Sequence, residues 1–341
     1  MKLSGEKYIK FVFTLCYNII IGISPRIEVF FRKLYWNNIS KISRFRVNHN
    51  SMRKDLNPIK FQNILDNLSK RGIVKGSIII VHSSYDLLEN SKLPPEEINS
   101  MLLELIGPEG TLVMPAIRRY KEDPKVNEYL LKNMSQISCT YDVQKSKVIS
   151  GFLPYMLMQR ADCFISRFPL NPVVAIGKHA KKMIEKNLEG VRPSPHGPNS
   201  SWKYCADNNA IVIGLGVNMP HFLTITHVNE ECSLDWPIKN WYRKRKFEII
   251  DKDFKIQKEV LERRPLWGTI YFAESKYRKD LIRNNILEIE KVEGLDISII
   301  HSNRLIDFLK VRSNKGYPYY VESKFLKKRG KDKKNNYEIV L

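Results

Sequence analysis

Apolar positions along this chain change their period several times, and the changes mark out its elements. Between Lys60 and Lys70 they recur at helical spacing, and Gly72 and Gly76 then bracket a turn before Ser77-Ile78-Ile79-Ile80-Val81. An unbroken β-branched run of that length, bounded by glycines, predicts a buried strand of an α/β sheet. Pro94 to Ile106 predicts a helix with acidic residues in its first turn. The turn Gly107-Pro108-Glu109-Gly110 leads into a second strand, Thr111-Leu112-Val113-Met114-Pro115. Residues 116–145 carry no clear period and read as loops, Ile149–Met158 as helical, Val173–Ile176 as a short strand and Lys178–Lys186 as a helix. Ala210 to Gly216 is a further apolar run closed by glycines, a third buried strand. Beyond residue 240 the pattern moves towards antiparallel strands, Phe247–Ile250 and Thr269–Phe272. Helices are expected over Lys276–Leu287 and Ser302–Leu309, with the apolar pair Ile299-Ile300 between them.

The two ends differ from this body. Residues 1–54 read as a basic amphipathic helical arm and linker. Within it Phe11–Ile23 is shorter than the ~20 apolar residues a spanning helix needs. Lys2, Lys7 and Lys10 precede that run, yet no small-residue cleavage site follows, so it does not complete a signal peptide. Pro25 ends the run, and Ile27–Trp36 offers a second amphipathic stretch. Such an arm either lies in a membrane interface or packs on the domain or on a second copy. Ser40–Lys54 is polar and basic, like a linker. Residues 316–341 form a basic tail, densest over Lys324–Lys334, with the composition of a disordered segment. That leaves 55–315 as one large α/β domain, with a central mixed sheet flanked by helices and an antiparallel C-terminal part.

Composition changes this picture in two respects. Across 341 residues, 57 Lys+Arg against 36 Asp+Glu give a formal charge of +21, which favours anionic partners, whether nucleic acid, an anionic membrane or a phosphorylated ligand. A codon bias towards Lys, Asn and Ile would produce the same excess. No helix-turn-helix, zinc-finger or RNP-like motif accompanies the charge, so nucleic acid is not expected as a partner. Five cysteines are dispersed, with no CxxC and no metal-like Cys/His cluster, so no metal is expected. Reduced thiols in a cytosolic setting, at most at the inner face of a membrane, account for them.

Candidate chemistry follows the third strand. If Thr224 to Glu231 is helical, His227 and Glu230 share one face at three-residue spacing. A neutral imidazole held by a carboxylate is a usual general base near neutral pH. The same spacing is common on solvated helices, so the pair alone settles nothing.

Its surroundings do more. Pro195-His196-Gly197-Pro198-Asn199-Ser200-Ser201-Trp202, then Ala210–Gly216, then Thr224-Ile225-Thr226-His227-Val228-Asn229-Glu230-Glu231 closely resemble the aminoglycoside 3-N-acetyltransferase family. Matches upstream fall in the same order: Val81-His82-Ser83-Ser84, Gly107 to Pro115, Tyr141-Asp142, Gly151, Pro169 and Ala175-Ile176-Gly177. Downstream, Trp241-Tyr242-Arg243-Lys244-Arg245 and Ile299 to Leu309 also fit. The resemblance spans roughly 58–312.

It implies an acetyl-CoA-dependent N-acyltransferase acting on a primary amine. His227 would take the amine's proton as it attacks the thioester. Glu230 would hold the ring's tautomer and stabilise the imidazolium. His82, Ser83 and Ser84 could serve the pantetheine arm or a phosphate of the donor, or simply cap the passage from strand to helix. Ser200 could donate to the thioester oxygen or act as a turn residue. Asp142 and Asn171 are candidates for touching the acceptor, although Asp142 could equally be an Asx cap. The chain departs from the family at Phe168-Pro169-Leu170-Asn171-Pro172, where a second His and a Ser are usual. That change bears on the acceptor pocket more than on the chemistry. A charge of +21 repels polycations unless the cleft is locally acidic. An anionic amino sugar of surface-polysaccharide biosynthesis is therefore the expected acceptor, with a drug-resistance acetyltransferase as the alternative. A homo-oligomer is a further expectation. A nucleic-acid binder and a non-catalytic membrane scaffold are the rivals outside enzymology; the missing nucleic-acid motifs argue against the first, and the intact His227 and Glu230 against the second.

Overall fold

The computed structural model describes residues 24–38, 58–218, 222–234, 236–252, 254–314 and 319–321. The expectations for Phe11–Ile23, for the Ser40–Lys54 linker and for the basic tail beyond 321 fall outside these residues. Strand β1 (Ile78–Ser83) is the central organiser of a seven-stranded sheet. Parallel to it on either side run β2 (Thr111–Pro115) and β6 (Ile211–Leu215). The outer members are antiparallel to their neighbours: β5 (Val173–Gly177) and β4 (Phe164–Ile165) beyond β2, and β10 (Leu295–His301) and β9 (Glu288–Val292) beyond β6. The sheet is mixed, as the sequence predicts, and its order is β4-β5-β2-β1-β6-β10-β9.

Alternation along β1 explains why every residue of its apolar run is buried. Ile79 and Val81 point to one face, and Ile78 and Ile80 to the other. The first face carries α2 (Phe61–Lys70), α3 (Pro95–Ile106) and α4 (Phe152–Leu157), whose Ile64, Leu68, Ile98, Leu102 and Leu153 are fully buried. The second carries α5 (Ala180–Glu185), α6 (Ser201–Asp207), α9 (Glu274–Arg283) and α10 (Ser302–Asn314). Between α6 and α9 in chain order lie the short helices α7 (His227–Cys232) and α8 (Pro265–Thr269). Helix α1 (Pro25–Asn37) docks on α9 through Val29, which joins this second core.

Residues 138–263 add a second sheet that the apolar pattern shows only in part. Strand β3 (Ser138–Asp142) lies within the region read as loops and runs parallel to β7 (Tyr242–Asp251). The run Phe247–Ile250 is the apolar end of β7, which forms a ten-residue hairpin with β8 (Phe254–Arg263). Both strands are rich in Lys, Arg and Glu: one face is largely solvated, and the buried face of β7 itself carries Arg243 and Arg245, ion-paired to Glu262 and Asp123, so apolar positions are too sparse to stand out. Thr269–Phe272 is not a strand. Pro265 opens α8 there, and Phe272 makes only an isolated bridge to Tyr320. A proline at the first helical position favours a helical turn over extended backbone.

Candidate active site

Strand β6 is followed directly by Gly216, whose φ of +66° suits a residue without a β-carbon. A 3₁₀ turn over Thr224–Thr226 continues into α7 at His227. Ile225 and Val228 are buried in the second core, and Thr226 Oγ1 lies 2.9 Å from the Tyr277 hydroxyl of α9. Those anchors fix how His227 and Glu230 emerge. Their separation of one helical turn brings His227 Nδ1 within 2.6 Å of Glu230 Oε2.

Glu230 is fully buried as a side chain, whereas His227 keeps 18% exposure on the wall of a cavity of about 350 Å³. Tyr320 donates to the other oxygen, Glu230 Oε1, at 2.7 Å, and the Arg263 guanidinium lies 3.8 Å from Oε2. Burial alone pushes the Glu230 carboxyl up, but His227, Arg263 and the Tyr320 hydroxyl together hold it below its ordinary range. It therefore stays ionised at neutral pH. His227 is displaced downward, first by burial and then by the Arg263 charge, against the opposing pull of Glu230. A ring so displaced favours the neutral form at pH 7, and because an ionised Glu230 can only accept, the tautomer it selects carries its proton on Nδ1 and its lone pair on Nε2.

A second histidine–carboxylate pair lies beside the first. His196 Nδ1 is 2.8 Å from Glu231 Oε1, and the His196 backbone N–H donates to Oε2 at 2.9 Å. His196 and His227 rings meet edge to face at 5.1 Å. Asn171 Nδ2 approaches His196 Nε2 at 3.3 Å, and Trp202 Nε1 donates to the Asn171 carbonyl at 2.9 Å. Asn171 adopts a left-handed φ of +49°, which an asparagine tolerates better than most residues. Sequence reasoning missed His196, Glu231, Arg263 and Tyr320 as site members. His196 sits inside a recognised motif, and asking which group partners the second acid of Glu230-Glu231 would have raised it. Nothing local points to Arg263 or Tyr320.

The remaining expected residues are placed as follows. Asn171 lines the cavity together with His227. His82, the last residue but one of β1, is on the same side of the sheet, its ring 6.2 Å from Trp202, which is 6.0 Å from the His196 ring. His82 and His227 thus belong to one run of aromatic contacts at the carboxyl ends of the parallel strands. Ser83 pairs with Leu215 of β6, and the Ser84 N–H donates to the Leu215 carbonyl. Ser200 caps α6, its hydroxyl accepting from Lys203 N–H at 3.0 Å. None of His82, Ser83, Ser84 and Ser200 reaches the cavity wall. Asp142 is set apart in the three-stranded sheet, where Oδ1 accepts from Gln144 and Lys145 N–H, an Asx cap. Among the described residues, no three His, Cys, Asp or Glu side chains gather as a metal site would require.

The family profile of aminoglycoside 3-N-acetyltransferase matches residues 80–312, a span that holds nearly all of the mixed sheet and both His227 and Glu230. The chain belongs to that family, and is by class an N-acyltransferase that uses acetyl-CoA as acyl donor. No curated protein matches it. Among solved structures it is similar to aminoglycoside acetyltransferase AAC(3)-Xa, at 17% identity over 76% of this chain and 93% of that one, with a TM-score of 0.60. The complex of AAC-IIIb with CoASH matches at 16% identity over 76% and 97%, TM-score 0.58. AAC-VIa bound to sisomicin matches at 15% identity over 75% and 98%, TM-score 0.58. At such identities the likeness establishes the fold. Among the described residues no helix is long and apolar enough to cross a membrane.

Proposed function

We propose that this enzyme transfers an acetyl group from acetyl-CoA to the primary amine of an amino sugar, with His227 as general base and Glu230 as its orienting carboxylate. The observation that carries the reading is the 2.6 Å contact between a fully buried carboxylate and Nδ1 of a cavity-facing imidazole, in surroundings that lower the pKa of both groups. The amine nitrogen attacks the thioester carbonyl carbon, forming the C–N bond while its proton passes to His227 Nε2. Collapse of the tetrahedral adduct breaks the C–S bond. The imidazolium, stabilised by Glu230, then returns the proton to the departing thiolate. No acyl-enzyme is required, because the thioester is already activated. His82, Ser83 and Ser84, at the carboxyl end of β1 where α/β folds bind ligands, and Ser200, at the N-cap of α6, are assigned to the donor side.

Charge on the cavity wall bears on the acceptor. Glu231, Glu262 and Glu274 line it with Arg263 and no lysine. Each carboxylate already has a basic partner: His196 for Glu231, Arg243 and Arg245 for Glu262, and Arg32 for Glu274. A wall so compensated suits an amine with few positive charges. The +21 of the whole chain favours one carried on a phosphate, such as a nucleotide- or lipid-linked amino sugar of polysaccharide biosynthesis. The second reading, acetylation of a polycationic aminoglycoside, is favoured by the likeness to a sisomicin-bound enzyme. A thiol-release assay comparing a nucleotide-linked amino sugar with an aminoglycoside separates the two. Turnover of the aminoglycoside alone would overturn the first reading.

The reading extends to a peripheral membrane contact. Helix α1 buries Glu28 and Val29 on one side and leaves Phe30 and Leu34 exposed on another, an arrangement that suits insertion at a lipid surface. Co-sedimentation with anionic vesicles should drop when both are changed to Ser, and unchanged sedimentation would remove this element.

A further inference from the structure

Helix α1 (Pro25–Asn37) precedes the family-matched segment, yet one of its side chains reaches the wall of the candidate active site. Glu28, 2% exposed, accepts from Ser275 N–H through both oxygens, at 3.0 and 3.2 Å, and so caps the first turn of α9. Arg32, one helical turn on, is held by Glu28 at 3.1 Å and meets the Glu274 carboxylate at 2.6 Å. Glu274 is a cavity-lining residue. Of the basic groups that partner the wall carboxylates, His196, Arg243 and Arg245 all lie within residues 80–312. Arg32 is brought in from outside.

Resting on the reading that the cavity takes an amine acceptor, we infer that α1 is a charge filter for the acceptor site, with Arg32 as a specificity-determining residue. Its guanidinium offsets Glu274, so the wall offers no uncompensated carboxylate to an additional ammonium group. Amines bearing several positive charges are thereby disfavoured relative to amines bearing one. The physical ground is short-range electrostatics: within the ~8 Å over which charges act at physiological ionic strength, a cation fixed at the wall subtracts from the attraction of its neighbouring anion. Glu28 matters because a guanidinium pinned in place by a buried carboxylate cannot swing away as a polycation enters.

The test is a double-mutant cycle on the full chain, with sisomicin as the polyamine probe and glucosamine as the monoamine. The dissociation constant of each probe is measured by calorimetry, and KM where the amine is turned over. Arg32→Gln should tighten sisomicin by about 3–10-fold, a range suited to one partly exposed charge, and change glucosamine by less than about twofold. Any kinetic change should fall in KM rather than kcat. In a Glu274→Gln background the same substitution should do nothing, and Arg32→Lys should keep the wild-type preference. Unchanged or weakened sisomicin binding in Arg32→Gln would overturn the inference. An equal gain with Glu274→Gln present would do so too, as would a wild type and variants that all fail to bind sisomicin. Acetylation of neither a monoamine nor a polyamine defeats the proposed function instead, and the binding cycle still decides on Arg32.

Discussion

His227–Glu230 and His196–Glu231 are the same two groups at nearly the same distance, 2.6 and 2.8 Å, their carboxylates consecutive in the chain and their rings in contact. They differ in what meets the far side of the imidazole. His196 is 2% exposed, with Asn171 at its Nε2 and its own backbone N–H spent on the same carboxylate. Among the described residues His227 is hydrogen-bonded only through Nδ1, and on the same cavity wall it keeps 18% exposure. A histidine–carboxylate pair whose imidazole is engaged at both nitrogens stiffens a loop, while one left open at Nε2 can move a proton. The pairing itself does not distinguish them.

Substitutions should separate the two pairs in order of size. His227→Ala should lower kcat by about 10²–10⁴-fold, with little change in acetyl-CoA affinity. Glu230→Gln should cost about 10–10²-fold, since the amide keeps a hydrogen-bonding group but loses the charge that stabilises the imidazolium. Glu231→Gln should show the opposite profile: a thermal midpoint lowered by several degrees, consistent with ~1–3 kcal/mol for a disturbed buried hydrogen-bond set, and a kcat loss below about tenfold. A larger kcat loss there than in Glu230→Gln would reverse the roles of the two pairs. Tyr320→Phe removes one donor from Glu230 and should cost only ~0.5–1.5 kcal/mol in stability or in the barrier.

The legible parts of the molecule are those whose information is local. Ile78–Val81, Thr111–Pro115 and Ile211–Ile213 each announce a strand because both faces are buried, and the site motif lies in one short tract around β6. The three-stranded sheet is mostly hidden, because β7 places Arg243 and Arg245 at inward positions where an apolar residue would mark the strand, and β3 pairs across about a hundred positions. The same holds within the site. His227 and Glu230 are three residues apart, so helical geometry predicts their contact. His196 and Glu231 are separated by 35 positions and Tyr320 and Glu230 by 90, so no spacing rule reaches them. Arg32 lies 242 positions from Glu274, and only folding reveals that the arm touches the site.

The most direct test of a neutral His227 acting as base is the pH dependence of kcat/KM in the wild type and in the residual activity of His227→Ala. Burial and the Arg263 charge place the His227 pKa below its ordinary 6.5, so the ring charges only as pH falls through that lower value. Wild-type kcat/KM should hold level through neutral pH, then fall with a single-proton acid limb whose midpoint lies below about 6.5. In His227→Ala that limb should vanish. An acid limb of unchanged midpoint in the variant would contradict the account, because the proton that controls the rate would then belong to another group.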